Sequence, residues 1–171
     1  MRHGQTTYNV RGLCNDDPSK PVYLTELGQQ QAQQAAEQLR DAALQKIFVS
    51  ELPRTRQTAD FVNRHHQVQI IADARLNDIR SGFDSLPVAD YFRAIARDRL
   101  GAAVNGGESV RDHKYRVMGF IDWLLGVPEN CVLVVAHEET LRVFKARFDG
   151  LSDEAMLAVS ARNGEVFGFR V

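Results

Sequence analysis

The feature that most constrains the fold of this chain is a repeated order of a short apolar run, a few polar residues and a helix. Residues 47–49 and 132–135 are apolar runs of strand length, and segments with helical spacing follow them at 54–64 and 140–148. A further strand is predicted at 68–71. Strands that alternate with helices are typical of a parallel sheet with helices on both faces. The sequence therefore predicts an α/β fold, a three-layer αβα sandwich with a mostly parallel central sheet.

The remaining segments fit the same architecture. Helices are predicted over 25–40, 88–101 and 108–125, and a last strand is predicted over 165–171. At 171 residues the chain is long enough for one buried core and short for two, and its sequence contains neither an internal repeat nor a linker. We therefore expect a single domain over residues 1–171.

Charge and composition argue against several classes of function. The 21 basic and 22 acidic residues give a net charge of −1, without the basic excess of a nucleic-acid-binding surface. No apolar run approaches the ~18 residues of a membrane span and no signal-peptide pattern is visible, so we expect a cytoplasmic protein. Cys14 and Cys131 form no CxxC pair. We expect no nucleic-acid or membrane partner, no metal and no cofactor.

Four polar segments carry residues suited to chemistry on an anion. Residues 2–6 place an arginine and a histidine beside a glycine, which lets the backbone approach an anion. Residues 50–59 contain two arginines between a strand and a helix, residues 136–138 follow the most apolar strand, and residues 76–78 end in an aspartate. Parallel sheets collect their ligands at the carboxyl ends of strands, where helix N-termini favour anions.

Each of these residues also has a simpler structural explanation when it is taken alone. His137 is equally well explained as a buried histidine with its hydrogen bonds satisfied, and Asp78 as a turn residue. Arg54 and Arg56 fit ordinary surface charges on a helix. Their combination at the ends of strands is much harder to obtain by chance, and it favours an anion-binding active site.

Taken in order along the chain, these motifs resemble the pattern of the histidine phosphatase (phosphoglycerate mutase-like) superfamily, in particular its small phosphatases. The matching segments are the RHGQT run at 2–6, the LTELGQQQA run at 24–32, the SELPRTRQTA run at 50–59, the GGES run at 106–109, and His137. They extend over nearly the whole chain in the family's order.

The resemblance implies a mechanism and assigns roles to residues. His3 would be the nucleophile and Asp78 the acid for proton transfer, with Asp84 as a reserve candidate. His137 would be both a catalytic and a phosphate-binding residue. The residues implied to surround the phosphoryl group are Arg2, Asn9, Arg54 and His137. The partner would be a small-molecule phosphate, and the pattern leaves the oligomeric state open.

The chain departs from the family pattern in three places. Asp78 stands where the family usually has a glutamate, and Glu138 and Glu139 follow the second histidine, where the family prefers a small residue. A carboxylate there repels phosphate unless it points away or pairs with an arginine. No apolar strand precedes the RHGQT run in the sequence, so the expected sheet lacks the family's first strand and His3 is expected on a loosely held terminus.

The function indicated by these observations is hydrolysis of a small-molecule phosphomonoester through a phosphohistidine on His3. Two alternatives stay open, a catalytically weak homologue that acts as a binding or scaffold module, and a phosphohistidine-protein phosphatase. Residues 83–105 are expected to form a lid over the pocket. The histidines outside the motifs, among them His113, are expected at the surface.

Overall fold

The fold is built on a parallel sheet, as seen in a computed structural model that describes residues 1–170. Within that range the sheet has three strands, Lys46–Val49 (β1), Gln69–Ala72 (β2) and Val132–Val135 (β3), in the order β2-β1-β3. Both neighbours of β1 run parallel to it. The parallel sheet predicted from the alternating pattern is therefore confirmed.

Helices connect the strands and cover the sheet. Their bounds are Thr7–Arg11 (α1), Glu26–Gln38 (α2), Pro53–His66 (α3), Val88–Ala94 (α4), Val110–Leu124 (α5), Glu138–Asp149 (α6) and Asp153–Ala158 (α7). The Thr25 hydroxyl caps α2, and Ser109 with Asp112 forms a capping box at the start of α5. A 3-10 turn, Ala74–Leu76, follows β2. No helix of residues 1–170 combines the length and the apolar character that crossing a bilayer requires.

The core consists of two layers of side chains, one on each face of the sheet. Phe48 of β1 packs edge-to-face on Phe120 of α5, with ring centroids 5.8 Å apart. Its neighbour Ile47 belongs to a second cluster that contains Ala35 of α2 and Val62 of α3. Because successive side chains of a strand point to opposite faces, helices must cover both sides of the sheet. The predicted three-layer αβα sandwich is confirmed.

The N-terminal residues lie beside the end of β3 and are held by its backbone. The Met1 amino group donates to the Val134 carbonyl at 2.6 Å, and the N–H of Ala136 donates to the Met1 carbonyl at 3.1 Å. The His3 N–H donates to the Ala136 carbonyl at 3.1 Å, and Arg2 forms a parallel bridge with Ala136. His3 is only 2% exposed. The expectation of a loosely held His3 is therefore wrong, because three backbone hydrogen bonds fix it beside the sheet.

The strand predicted over 165–171 is absent from the part of the chain that the structure describes. Residues 165–170 form no strand, and residue 171 lies outside the described range. The backbone contact of this segment with the N-terminal residues ends at Glu165, whose carbonyl accepts from the Arg2 N–H at 3.0 Å. An apolar segment without an adjacent strand cannot form a ladder. Phe169 instead stacks on Phe148, with ring centroids 4.8 Å apart.

The helix predicted over 88–101 is shorter than its pattern. α4 ends at Ala94, and the Asp98 carboxylate accepts from the N–H groups of Leu100 at 3.3 Å and Gly101 at 2.8 Å. An aspartate that bonds to nearby backbone offers the chain an alternative to helix. The short helices α1 and α7, with five and six residues, are too brief to show apolar periodicity, and the sequence predicts neither.

Candidate active site

Four of the residues predicted from the motifs meet at the carboxyl end of the sheet. His137 directly follows β3, and His3 lies beside it at the end of the N-terminal segment, with ring centroids 5.2 Å apart. Arg54 opens α3 just after β1, and Asp78 follows β2 and the 3-10 turn. The two histidines and the aspartate all contact the Arg54 guanidinium. These four side chains therefore meet at the carboxyl edge of the sheet, where a parallel sheet is expected to bind its ligand.

The His3 ring is held in one tautomer. Its Nδ1 lies 2.7 Å from the carbonyl oxygen of Gly4, and because a carbonyl only accepts, Nδ1 carries the proton. The lone pair of Nε2 accepts from Arg54 Nε at 3.1 Å. Burial, with Arg54 and Arg2 nearby, holds the pKa of His3 well below its usual range. His3 is therefore a neutral imidazole whose Nε2 lone pair faces an arginine.

Two glycines allow the loop of His3 to pack directly on helix α2. A Cβ on Gly4 would lie 2.3 Å from the carbonyl oxygen of Gly28, and a Cβ on Gly28 would lie 2.0 Å from the carbonyl oxygen of Gln5. The N–H of Gly4 donates to the Thr58 hydroxyl at 3.1 Å, and the N–H of Gln5 donates to Gln31 at 2.9 Å. The motif residues of α2 and α3 therefore hold the His3 loop in place.

Arg54 is the centre of the site and is 4% exposed. Besides its contact with His3, it donates to the side-chain and main-chain oxygens of Asn15, at 2.5 and 3.0 Å. Its Nη2, which faces the Asn15 main-chain oxygen, also lies 3.0 Å from Asp78 Oδ2 and 3.1 Å from His137 Nδ1, so these three acceptors share two N–H hydrogens. A planar guanidinium with all three nitrogens engaged is fixed in orientation, which preorganises it to bind a planar array of oxygens.

The sequence distinguished Arg54 from its neighbour Arg56, but it did not single out Asn15. Arg56 lies on the outer side of α3 and pairs with Asp60 at 2.9 Å, with both side chains more than half exposed. Asn15 is 7% exposed and supplies two of the oxygens that hold Arg54. Asn15 lies in an Asn-Asp-Asp-Pro run, which indicates a turn but carries no signal for an arginine-binding role.

His137 is fully buried and is the N-cap residue of α6. Because Arg54 can only donate, His137 Nδ1 accepts from it, and Nε2 carries the proton toward the Ser50 hydroxyl at 2.9 Å. Burial, followed by the charge of Arg54, holds the pKa of His137 well below its usual range. Both histidines of the site are therefore neutral, and the hydrogen bond to Ser50 orients the second ring.

Two aspartates were candidates for the acid, and they have different surroundings. Asp78 lines the pocket, with Oδ2 3.0 Å from Arg54 and 3.5 Å from His137 Nδ1. Asp84 is instead part of the loop structure. Burial opposes its ionisation, but hydrogen bonds from Lys20 and from the N–H of Asp16 lower its pKa to about 2. The geometry favours Asp78 as the group available to a substrate.

The sequence and the coordinates of known proteins identify the family. The sequence model of the histidine phosphatase superfamily (branch 1) matches residues 1–170. The chain belongs to the histidine phosphatase superfamily. A superfamily member of Enterobacter sp. (strain 638), named "Probable phosphoglycerate mutase GpmB", is 30% identical over an alignment that covers 95% of this chain and 79% of that protein.

Solved structures of this superfamily have the same fold. The alpha-ribazole phosphatase from Shigella flexneri superposes with a TM-score of 0.85 and 29% identity, over 96% of this chain and 85% of its own. A mycobacterial glucosyl-3-phosphoglycerate phosphatase, solved with VO3, superposes with a TM-score of 0.79 and 27% identity, over 95% of this chain and 84% of its own. The resemblance inferred from the motifs is therefore confirmed.

The GGES run of this superfamily member anchors the loop that carries Asp78. The backbone of Gly107 passes so close to the Arg80 carbonyl that a Cβ would lie 2.3 Å from it. The N–H of Glu108 donates to the Arg80 carbonyl at 2.7 Å, and the N–H of Arg80 donates to Glu108 Oε1 at 3.0 Å. Arg116 of α5 pairs with Glu108 and donates to the carbonyls of Arg75 and Asn77, at 2.8 and 3.1 Å.

His113 belongs to this same anchor, and the expectation that it lies at the surface is wrong. It is fully buried, with Nδ1 2.9 Å from Arg116 and 3.5 Å from Glu108 Oε1. Although burial opposes the ionisation of Glu108, its contacts with His113 and Arg116 lower its pKa to about 2. The helical spacing of 110 to 113 places His113 on the buried face, which was the available signal.

The two glutamates after His137 do not leave an unpaired charge beside the phosphate pocket. Glu138 pairs with Arg2 at 2.7 Å and with Arg142 at 3.2 Å, and Glu139 pairs with Arg142 at 2.7 Å. Arg2 also donates to the Ala161 carbonyl at 2.6 Å. The pairing with arginine that a carboxylate at this position requires is therefore present, and Arg2 reaches the pocket already bound to Glu138.

The pocket itself has a volume of about 310 Å³. Asn9 lines it and uses its side-chain oxygen to accept from the Thr6 N–H at 2.9 Å, which leaves its amide NH2 as the group for a ligand. Val88, Tyr91 and Phe92 of α4, which belong to the segment 83–105 expected to form a lid, are among the residues that line the pocket. Among residues 1–170, no three His, Cys, Asp or Glu side chains are grouped as metal ligands.

Proposed function

We propose that this chain is a phosphomonoesterase that hydrolyses a small-molecule phosphate through a phosphohistidine on His3. The observation that carries the proposal is the state of the His3 ring. Its Nδ1–H is bound to the Gly4 carbonyl, while its buried Nε2 lone pair faces Arg54. A neutral imidazole with one nitrogen locked as a donor keeps a lone pair on the other nitrogen. This lone pair can attack phosphorus once the phosphoryl oxygens take over the Arg54 N–H that it now accepts from.

In the first step, Nε2 of His3 attacks the phosphorus atom, and the bond to the leaving oxygen breaks as the P–N bond forms. Arg54, with Arg2 and the Asn9 amide, stabilises the charge on the equatorial oxygens. The leaving oxygen takes a proton from Asp78. In the second step, water gives its proton to Asp78 and attacks phosphorus, so the P–N bond breaks and inorganic phosphate forms.

The contact between Arg54 and Asp78 couples proton transfer to phosphate binding. As a carboxylate, Asp78 neutralises part of the Arg54 charge across 3.0 Å. When Asp78 takes a proton, the guanidinium is available to the phosphate, so a phosphate dianion and a proton favour each other in the site. The same aspartate is thereby ready to protonate the leaving group.

The solved relatives favour phosphatase chemistry, whereas the sequence relative from Enterobacter is named a probable phosphoglycerate mutase. Two solved proteins with TM-scores of 0.85 and 0.79 are named as phosphatases, one acting on alpha-ribazole phosphate and one on glucosyl-3-phosphoglycerate. Asp78 and the Glu108 anchor beside it supply a loop acid, which favours a small-molecule phosphatase over a phosphohistidine-protein phosphatase. The physiological substrate belongs to the class of small phosphomonoesters.

One observation favours a second candidate, a binding or scaffold module with weak catalysis. Arg2 is already engaged by Glu138 at 2.7 Å and by the Ala161 carbonyl, so it meets a phosphate with less free charge. This candidate predicts phosphate binding without turnover.

Turnover of p-nitrophenyl phosphate decides between the two. We expect steady hydrolysis by the parent chain and loss of at least about 10³-fold in His3→Ala, because the nucleophile is removed. His65→Ala, which alters an exposed histidine of α3, is the matched control and should retain the parental rate. Binding of inorganic phosphate by the parent chain with no turnover supports the second candidate instead.

A further inference from the structure

The lining of the pocket includes polar side chains that the phosphoryl-transfer mechanism does not use. Tyr91 is 5% exposed and lines the pocket, and its hydroxyl has no hydrogen-bond partner among residues 1–170. Burial, followed by the charge of Glu139, raises the pKa of Tyr91. The Tyr91 hydroxyl oxygen is closed to solvent in this structure, and a buried hydroxyl without a partner is costly. A ligand group for which the hydroxyl turns toward the pocket therefore gains from that contact.

Glu139 also lines the pocket, close enough for its charge to act on Tyr91, and has one cationic partner, Arg142, at 2.7 Å. Its side chain is 17% exposed. Burial raises the pKa of Glu139, and the charge of Arg142 opposes that rise. A carboxylate accepts hydrogen bonds and a phenol can both donate and accept, so Glu139 and Tyr91 together suit an alcohol, which does both.

The charges of the pocket leave no cation for a second anionic group. The lining contains three arginines and three carboxylates. Each arginine of the lining is already paired with a carboxylate. Arg54 pairs with Asp78 at 3.0 Å, and Arg2 pairs with Glu138 at 2.7 Å. Arg142 pairs with Glu139 at 2.7 Å and with Glu138 at 3.2 Å. A carboxylate on the leaving group would therefore meet Glu139 without a free guanidinium to balance it, and like charges at short range are strongly unfavourable.

We propose that Tyr91 and Glu139 form a subsite for the hydroxyl groups of an uncharged, hydroxylated leaving group, and that the substrate is the phosphomonoester of a polyol or sugar without a carboxylate. This inference rests on the proposed phosphatase function and adds the class of its substrate. Repulsion by Glu139 disfavours phosphorylated hydroxy acids of the same size. The substrate is therefore selected both by hydrogen bonds to Tyr91 and Glu139 and by repulsion of a competing carboxylate.

Two substrates with one carbon skeleton test the subsite. Glycerol 3-phosphate and 3-phosphoglycerate differ only in that a CH2OH group of the first is a carboxylate in the second. We expect kcat/KM of the parent chain to be at least about tenfold higher for glycerol 3-phosphate. In Glu139→Gln the preference should fall by about tenfold or more, since the repulsion is gone and Arg142 loses one partner.

Tyr91→Phe gives an independent arm because it removes only the hydroxyl. For this variant we compare kcat/KM for glycerol 3-phosphate with kcat/KM for p-nitrophenyl phosphate. The ratio of the two should be lower than in the parent chain by about fivefold or more, the scale of one lost hydrogen bond. Tyr115→Phe and Glu154→Gln, which alter an exposed tyrosine and an exposed glutamate, are the controls and should keep the parental ratios.

The outcomes separate the two proposals. A parent chain that hydrolyses none of the three substrates refutes the phosphatase function and this inference with it. A parent chain that hydrolyses p-nitrophenyl phosphate but uses 3-phosphoglycerate as well as glycerol 3-phosphate refutes the subsite alone. Substrate ratios that stay at the parental values in both Glu139→Gln and Tyr91→Phe also overturn it.

Discussion

Replacement of Arg54 by alanine is the most informative perturbation of the site, because five contacts depend on this side chain. The guanidinium lies within hydrogen-bond distance of His3, His137, Asp78 and two oxygens of Asn15, at 2.5 to 3.1 Å. It is the arginine of the pocket that faces the proposed nucleophile directly. Its loss therefore removes both a binding charge and the group that orients its neighbours.

The size of the effect follows from the number of donors lost toward the phosphoryl oxygens. Removal of one preorganised donor costs about 2–4 kcal/mol of transition-state stabilisation, which corresponds to roughly 30- to 1,000-fold in kcat for Arg54→Ala. Arg54→Lys keeps the charge but not the planar fork, so we expect most of the loss to remain. Arg56→Ala is the matched control, because Arg56 contacts only the exposed Asp60 among the groups described above.

The assay is steady-state hydrolysis of p-nitrophenyl phosphate, with thermal unfolding of each variant to show that it is folded at the assay temperature. We expect a large loss of rate in both Arg54 variants and a rate close to parental in Arg56→Ala. If Arg54→Ala and Arg56→Ala were impaired equally, or if Arg54→Lys were fully active, the role given to the Arg54 fork would be wrong.

Three further predictions concern the acid, its anchor and the buried histidines. Asp78→Asn should cut turnover of an alkyl phosphate by roughly 10²–10⁴-fold but keep much more of its rate of phosphohistidine formation from p-nitrophenyl phosphate, because p-nitrophenolate leaves without a proton. If Asp84→Asn shows this leaving-group dependence instead, the two roles must be exchanged. Arg116→Ala should show a weaker form of the same dependence, since it frees the loop that carries Asp78, and an equal loss with both substrates would indicate general destabilisation. Burial lowers the pKa of His3 in the folded protein, so as the pH falls below about 6.5 the His3 ring takes up a proton in the unfolded state before it does so in the folded state. The free energy of unfolding should therefore fall between pH 6.5 and 5.5, by up to about 1.4 kcal/mol per pH unit from this residue. Urea unfolding should show a smaller pH slope in His3→Ala, and a slope that is unchanged would contradict the buried neutral ring.

Local patterns were sufficient to predict the layers of the fold. The apolar runs at 47–49 and 132–135 became β1 and β3, because two helix-covered faces require strands that are apolar on both sides. The prediction of a strand at 165–171 was wrong because this segment has no neighbouring strand. A strand needs a partner, and the pattern of one segment does not say whether a neighbour lies beside it.

The candidate site was predictable as a set of residues and not as a network. His3, Arg54 and His137 follow short motifs, and a parallel sheet brings the ends of its strands to one edge. The anchor of Arg116 and His113 connects α5 to a loop more than thirty residues earlier in the chain, and a helical histidine or arginine alone gives no sign of such a partner. The catalytic roles of His3, Arg54 and His137 stay predictions until the variants are measured.

The pairing of Glu138 with Arg2 illustrates the same limit. The sequence shows a carboxylate next to the second histidine, and it leaves open whether that carboxylate repels phosphate or binds an arginine. The distance of 2.7 Å to Arg2 decides this point, because Arg2 is brought beside α6 only by the N-terminal contact with β3.

The most direct test of the account is the identity of the phosphorylated atom. Rapid acid-free quenching of the chain with a labelled phosphomonoester, followed by peptide mapping and phosphorus NMR, locates the phosphoryl group. The account predicts an acid-labile, base-stable phosphohistidine at Nε2 of His3, since Nδ1 is held as a donor by the Gly4 carbonyl. A label that persists in His3→Ala, or that is found on Nδ1 of His3 or on another residue, would contradict it.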